Sequence, residues 1–271
     1  MKGSCLLKSI IPLLFASIQG FAQAGITASP SKIYYRLPAG SSGVQKVTVI
    51  NPLSKDLEVG ISLGDWDYDS LGTNNLHDPG VLKTSCANWV KVLPGSYFTL
   101  LPDERKELSI EVTVPPTVDK SIPVHTAMLY FTQLNPSASK SENGAAIKVS
   151  VRMGIKIYHS FTQSDERNIE IINFVDKKNT KASNPLEILE LKIENTGKIW
   201  LDGKVKWELL NIQSGEKIKM DNLAFLSLPG DKTTIKMELP VGLKKGHYSA
   251  TAIINYGNKD ELKVVELEFE T

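Results

Sequence analysis

The amino-acid sequence predicts an all-β chain folded as two β-sandwiches in tandem. Three observations carry this. Short apolar stretches recur along most of the chain, turn residues separate them, and no stretch sustains the ~3.6-residue period of an amphipathic helix. The clearest stretch is 145–158, AAIKVSVRMGIKIY. There Ile147, Val149, Val151, Met153, Ile155 and Ile157 alternate with Lys148, Ser150, Arg152, Gly154, Lys156 and Tyr158. Successive side chains of a strand point to opposite faces, so this segment has one apolar and one polar face. It is about twice the usual strand length of ~5–6 residues. Either it crosses a large sandwich, or it offers its apolar row to something outside the domain.

Residues 1–24 read as a secretory signal. Lys2 and Lys8 flank or interrupt a short apolar run, and the segment ends in Ala22-Gln23-Ala24, with small residues where a signal peptidase cuts. The run is well short of the ~20 residues a membrane span needs. The expected product is an exported, periplasmic protein starting at Gly25, with no membrane span after cleavage. Removing Lys2 and Lys8 from the 31 basic residues leaves 29 against 30 acidic ones. That balance offers no basic excess for nucleic acid. Cys5 leaves with the signal, so Cys86 alone remains and no intramolecular disulfide can form. The exported domains must then be held by their apolar cores.

Taken in order, the first half offers candidate strands at 31–37, 44–51, 57–65, 88–93, 97–101, 106–114, 127–134 and 145–158. Pro38-Ala39-Gly40, Asn51-Pro52, Asp78-Pro79-Gly80, Pro94-Gly95, Pro102-Asp103 and Pro115-Pro116 punctuate them. The polar segment 135–144, NPSASKSENG, reads as a long loop leading into the alternating strand. Apolar patterning stops at 159–168, which reads as a linker. A second series follows at 169–175, 186–194, 204–210, 216–220, 233–239, 247–256 and 261–270. Strands of this number and spacing match immunoglobulin-like sandwiches of antiparallel sheets. The expected domains are 25–160 and 161–271, with no sequence repeat evident between them.

Nothing in the sequence supports catalysis. The four histidines, His77, His125, His159 and His247, share no metal-ligand spacing, and there is no phosphate loop or nucleophile elbow. Cys86, between a turn and Trp89, reads as a buried filler. Asp65, Asp67 and Asp69 imitate the start of a calcium loop, but Ser70 and Leu76 stand where its glycine and glutamate belong. Alternation gives the plainer account, with Trp66 and Tyr68 facing one way and the aspartates facing water. No metal or cofactor is expected. Lys32, on the first strand, and Lys156, near the end of the alternating strand, could meet and hold a carboxylate, or could be two solvated lysines.

Several segments together resemble the periplasmic chaperones of pilus assembly. They are ITASPSKIYYRLPAG, VTVINPLSKDLEVGI, FTLLPDERKELSIEV, AMLYFTQLNP and IKVSVRMGIKIYHS in the first half, then LKIENTGKIWLDG and FLSLPGDKTTIKMELP in the second. No single motif is specific; their order and coverage carry the likeness. The resemblance implies a non-enzymatic chaperone that binds an incomplete, pilin-like or other surface-fibre subunit and lends it a strand, a form of β-augmentation. By position, Ile147, Val149 and Val151 match the donor row, with Met153 as an extension. Lys156 matches the residue that anchors the subunit's terminal carboxylate, and Lys32 stands where the family has an arginine. An outer-membrane usher and a dimer that hides the donor strand are further partners it implies.

Three departures stand out. Lysine at 32 lacks an arginine's bidentate fork. His125-Thr126 stand where the family carries an acidic residue of a cleft salt bridge. The segment DWDYDSLGTNNLHDPGVLKTSCANW is longer than expected. A rival reading is a structural or adhesive β-sandwich protein that uses the long strand only in its own core. Against it, 25–31, GITASPS, is too short and polar to be the free donor extension of a self-polymerising subunit.

Overall fold

The computed structural model describes residues 25–136, 138–140, 146–161, 166–179, 186–258 and 261–271, and excludes the side chains of 138–140, 146–147, 178–179 and 186. The expected signal segment 1–24 lies outside the described residues. The chain is all-β, two sandwiches in tandem, and its described helical content is one 3-10 turn at Ala87–Trp89.

Among the described residues, twelve strands belong to the first half of the chain. They are β1 (Thr27–Ser29), β2 (Lys32–Arg36), β3 (Ser42–Ile50), β4 (Leu57–Tyr68), β5 (Asn74–His77), β6 (Val90–Leu93), β7 (Tyr97–Leu100), β8 (Arg105–Thr113), β9 (Val124–Gln133), β10 (Ala138–Lys140), β11 (Ala146–Lys148) and β12 (Arg152–Ser160). One sheet runs β1-β3-β8-β6; the other runs β2-β12-β9-β4-β5, with β7 also on β4, and β10 pairs with β11. Alternation puts Val47, Val49, Leu108 and Ile110 of one sheet against Val59, Leu129, Phe131, Ile155 and Ile157 of the other, all buried in one core. Each such side chain contributes roughly 1.5–3 kcal/mol on burial, before the entropy of ordering it.

The second sandwich holds β13 (Ile169–Asn179), β14 (Leu186–Asn195), β15 (Leu201–Asn211), β16 (Lys217–Lys219), β17 (Leu223–Ser227), β18 (Lys232–Glu238), β19 (His247–Asn255) and β20 (Lys263–Glu270). Its sheets are β13-β14-β18 and β16-β15-β19-β20, with β17 on β15. Leu191, Ile193, Val205, Trp207, Ala252 and Ile254 lie at the centre of its core.

The structure differs from the sequence expectations in several elements. The strand expected over 145–158 is divided into β11 and β12, because the Ser150 hydroxyl donates to the Gln133 carbonyl where the regular ladder with β9 ends. The expected linker starts too early: His159 and Ser160 belong to β12 and are buried. Part of the expected loop 135–144 forms β10. Strand β17 falls in a stretch where no strand was expected. The segment 65–88 contains β5, which pairs with an extended β4 from Asp65 to Tyr68.

That β4–β5 hairpin reaches the second sandwich. At its tip the Asp69 carboxylate accepts the Leu71 and Thr73 amides, and Gly72 takes a left-handed φ of 79° that closes the turn. The Ser70 carbonyl then accepts the Thr234 amide of β18 at 2.6 Å. Behind the tip, Trp66, Met128, Tyr130 and Tyr158 share a buried cluster with Ile199, Trp200 and Leu228 of the second sandwich. Tyr34 stacks on both Tyr158 and Trp200, with ring centroids 5.1 and 4.9 Å away.

The two sandwiches also repeat a corner that is invisible as sequence identity. Asn51 donates to the carbonyls of Lys55, Leu100 and Leu101 and accepts the Leu53 amide. Asn195 donates to the carbonyls of Ile199 and Ser227 and accepts the Gly197 amide. Each asparagine's own amide bonds to the last residue of a Leu-Pro-x-acid turn, Glu104 or Asp231, at 3.0 Å. In each turn the acid's carboxylate accepts the amide of the turn's leucine, Leu101 or Leu228.

Candidate functional site

Strand β12 is unevenly covered. Its inner edge pairs with β9 from Arg152 to Ser160, while its outer edge pairs in parallel with β2 only from Lys156 to Ser160. Among the described residues, no strand covers the outer edge of Arg152–Ile155. A bare edge of this kind offers main-chain donors and acceptors to another chain.

The apolar row leaves the core along this edge. Ile157 and Ile155 are buried, Met153 and Val151 are half-buried against the core, and Val149 is 64% exposed. Ile147 is paired with Ser139 in β11, and its side chain lies outside the described residues. The row therefore faces the gap between the two sheets and emerges from it where the sandwich opens.

The polar row of the same strand meets the two lysines. Lys32 and Lys156 are register partners in the parallel β2–β12 pair, so their side chains share one face. With Ser31, Asn74, Arg152 and others they line a cleft of about 430 Å³ with no carboxylate among its lining residues. Lys156 is half-buried and has only neutral partners there. Its Nζ donates to Tyr68 Oη at 2.9 Å and to Asn74 Oδ1 at 2.5 Å, and lies 4.0 Å from the Trp66 ring centroid. Burial, and secondarily the Lys32 charge, push its pKa down to about 8. Lys32, by contrast, reaches across to the second sandwich and forms an ion pair with Asp202 at 3.1 Å.

The remaining candidates have separate duties. Asp65 faces inward, against the expectation that all three aspartates face water. It is buried and accepts hydrogen bonds from the Leu82 amide and the Ser85 hydroxyl, fixing the loop that follows β5. Asp67 bonds Asn75 and Asp69 holds the hairpin turn, so the three carboxylates do not converge. Among the described residues no group of three or more metal-ligating side chains is assembled. Cys86 is fully buried, which pushes its thiol pKa far up.

Two of the histidines, scattered in sequence, come together. His125 and His159 are buried with ring centroids 5.8 Å apart, beside Trp89 and Phe161. His159 Nε2 meets the Leu37 carbonyl at 2.9 Å, and neither Nδ1 has a hydrogen-bond partner. Sequence distance hid this pair; the antiparallel β9–β12 register, which opposes them directly, creates it. Burial, then the His159 charge, lowers the His125 pKa to about 4, and burial lowers that of His159. Both folded-state values lie below the unfolded one, so the unfolded chain binds more protons. Stability is then complete above about pH 6.5 and is lost as pH falls from there toward about 4. For His125 the loss is on the order of 3 kcal/mol. Thermal melting at pH 7 and pH 4.5 is expected to show this loss, and His125→Phe to shrink it.

No protein-family model and no curated protein sequence matches the chain. Solved structures resemble it at low identity. The chaperone–tip adhesin complex of CFA/I fimbriae biogenesis is 13% identical, with 90% of this chain and 98% of that one covered, at a TM-score of 0.48. The pre-assembly complex of a chaperone and tip subunit from archaic Csu pili of Acinetobacter baumannii is 12% identical, with coverages of 90% and 98%, also at 0.48. The Salmonella enterica SafA pilin in complex with the SafB chaperone is 15% identical, with coverages of 91% and 98%, at 0.45. These neighbours are chaperones of fimbrial or pilus subunits, and what the chain has in common with them is an all-β fold.

Proposed function

We propose that the protein is an exported chaperone, working in the periplasm after its signal 1–24 is removed, that lends strand 147–153 to an incomplete β-sandwich subunit of a surface fibre. One observation carries this reading: an uncovered strand edge whose apolar row climbs from the buried Ile155 to the exposed Val149 and adjoins a basic cleft. Main-chain bonds along the edge supply affinity, and the row of Ile147, Val149, Val151 and Met153 sets the register. Lys156, with Lys32, receives the subunit's terminal carboxylate, a charge-assisted bond that fixes where its strand ends. An usher would take over the loaded complex. The protein binds and releases; it catalyses nothing.

The cleft supplies the test. Lys156 carries its proton below about pH 8 and loses it above, so a carboxylate is held more tightly on the acid side. A synthetic peptide with alternating aliphatic residues and a free carboxylate is expected to bind roughly tenfold less tightly at pH 9 than at pH 7. The amide-capped peptide and the Lys156→Ala variant should both give flat profiles by titration calorimetry. Asp202→Asn, which releases Lys32 from its ion pair, should strengthen binding of the free acid. Identical affinity for acid and amide would remove the anchor role.

A further inference from the structure

The far end of β12 holds two buried imidazoles that the open edge does not use. His159 and His125 are direct partners in the β9–β12 ladder, on the face that carries Ile155, Ile157, Ala127 and Leu129 into the core. They are 0% and 2% exposed, and the Nδ1 atom of each has no hydrogen-bond partner. A polar atom buried without a partner is costly, so two of them on facing residues call for a group that satisfies both.

The tautomer of His159 follows from its other nitrogen. A carbonyl oxygen only accepts, so the 2.9 Å contact of Nε2 with the Leu37 carbonyl puts the ring proton on Nε2. Burial disfavours a second proton, which leaves the lone pair on Nδ1. Metal-binding histidines are held in this way: one nitrogen donates to a backbone carbonyl and thereby orients the other as a ligand.

The surroundings select the ion. The Trp89 ring centroid lies 4.6 Å from that of His125 and 5.3 Å from that of His159, and Phe161 lies 5.6 and 4.8 Å away. Aromatic faces attract a cation held beside them. Among the described residues no third histidine, cysteine or carboxylate joins the pair as a ligand. A zinc ion would lack its tetrahedral shell, and its double charge would enter an apolar core uncompensated. A monovalent ion with a filled d shell is satisfied by two nitrogens in a nearly straight line, and imidazole is a good ligand for copper. The 5.8 Å between the two ring centroids leaves room for one ion with a bond of about 2 Å on each side.

We propose that His125 and His159 form a two-coordinate site for copper(I), walled by Trp89 and Phe161. The ion ties β9 to the end of β12 and, through the Leu37 carbonyl, steadies the residue that follows β2. The site stands apart from the donor-strand reading and is tested without a client.

Silver(I) is the first probe, because it is monovalent, has a filled d shell and needs no reductant; copper(I) kept reduced with ascorbate is the second. In chloride-free buffer one silver ion per chain is expected to survive gel filtration, whether added to folded protein or present during refolding from urea. At a hundredfold excess over its dissociation constant, the ion should raise the melting temperature by roughly 5–10 °C. The imidazole nitrogen NMR signals of both histidines should move at Nδ1. His125→Phe and His159→Phe should each lose the ion, whereas Cys86→Ala should keep it. Should a histidine variant fail to fold, the nitrogen spectrum of the unsubstituted protein decides. Silver that is lost in Cys86→Ala, or that binds without moving both Nδ1 signals, overturns the site. So does a protein that takes up neither silver nor copper(I), and zinc(II) held by the same pair would overturn the choice of ion.

Discussion

Val149→Glu is expected to abolish client capture, by a hundredfold or more in affinity, while the free protein keeps its melting temperature. In the free protein the side chain is 64% exposed, so a carboxylate there stays in water. In the complex the same group would enter the client's apolar core, where an unpaired charge costs several kcal/mol. The matching control is Ile155→Glu, three positions further along the row and 1% exposed, which should unfold the free protein itself. Capture of an incomplete surface-fibre subunit from the neighbouring reading frames, measured alongside thermal melting, checks both. If Val149→Glu unfolds the protein as Ile155→Glu does, the row is core and the structural-protein reading replaces the chaperone. The same substitution should dissolve any dimer in which two copies cover each other's edge, which size-exclusion chromatography would detect.

Asn51→Ala is expected to be among the most destabilising single changes, costing on the order of 3–4 kcal/mol. The residue is fully buried, and its amide nitrogen serves three carbonyls while its oxygen serves the Leu53 amide. Alanine leaves those main-chain groups short of a partner, and the loss of each hydrogen bond is compounded by the cost of burying what remains. Asn51→Asp, nearly the same shape, keeps the acceptor but cannot donate, so it should lose almost as much. Urea denaturation of the two variants separates hydrogen bonding from volume. A loss below about 1 kcal/mol for both would show that the corner is ornamental to stability. Asn195, with the same geometry in the second sandwich, should behave alike.

The fold class was legible because period-two alternation and turn residues are local signals. Ile155 and Ile157 are buried while Lys156 between them turns outward, as the pattern in 145–158 requires. The interruption at Ser150 was not legible, because a serine hydroxyl competing for the Gln133 carbonyl is a long-range event. Strand β5 escaped for a different reason: NNLH has poor strand propensity and is held by pairing with β4. Of the site, the adjacency of Lys32 and Lys156 followed from their places on the first and last strands of the domain. The Asp202 partner of Lys32 did not, because it lies 170 residues away. Asp65 was misread since alternation cannot tell a solvated face from one covered by a later loop.

The hairpin that crosses to β18 has a thermodynamic consequence for any partner that docks across both sandwiches. A chaperone whose two halves swung freely would have to freeze their relative orientation each time a subunit docked, and that lost freedom would subtract from affinity. Here a main-chain hydrogen bond from Thr234 to Ser70 and the stacked rings of Tyr158, Tyr34 and Trp200 have already set the elbow during folding. Preorganisation of this kind moves the ordering cost from the binding step to the folding step, which, on the function proposed above, would leave more of the contact energy for holding a subunit.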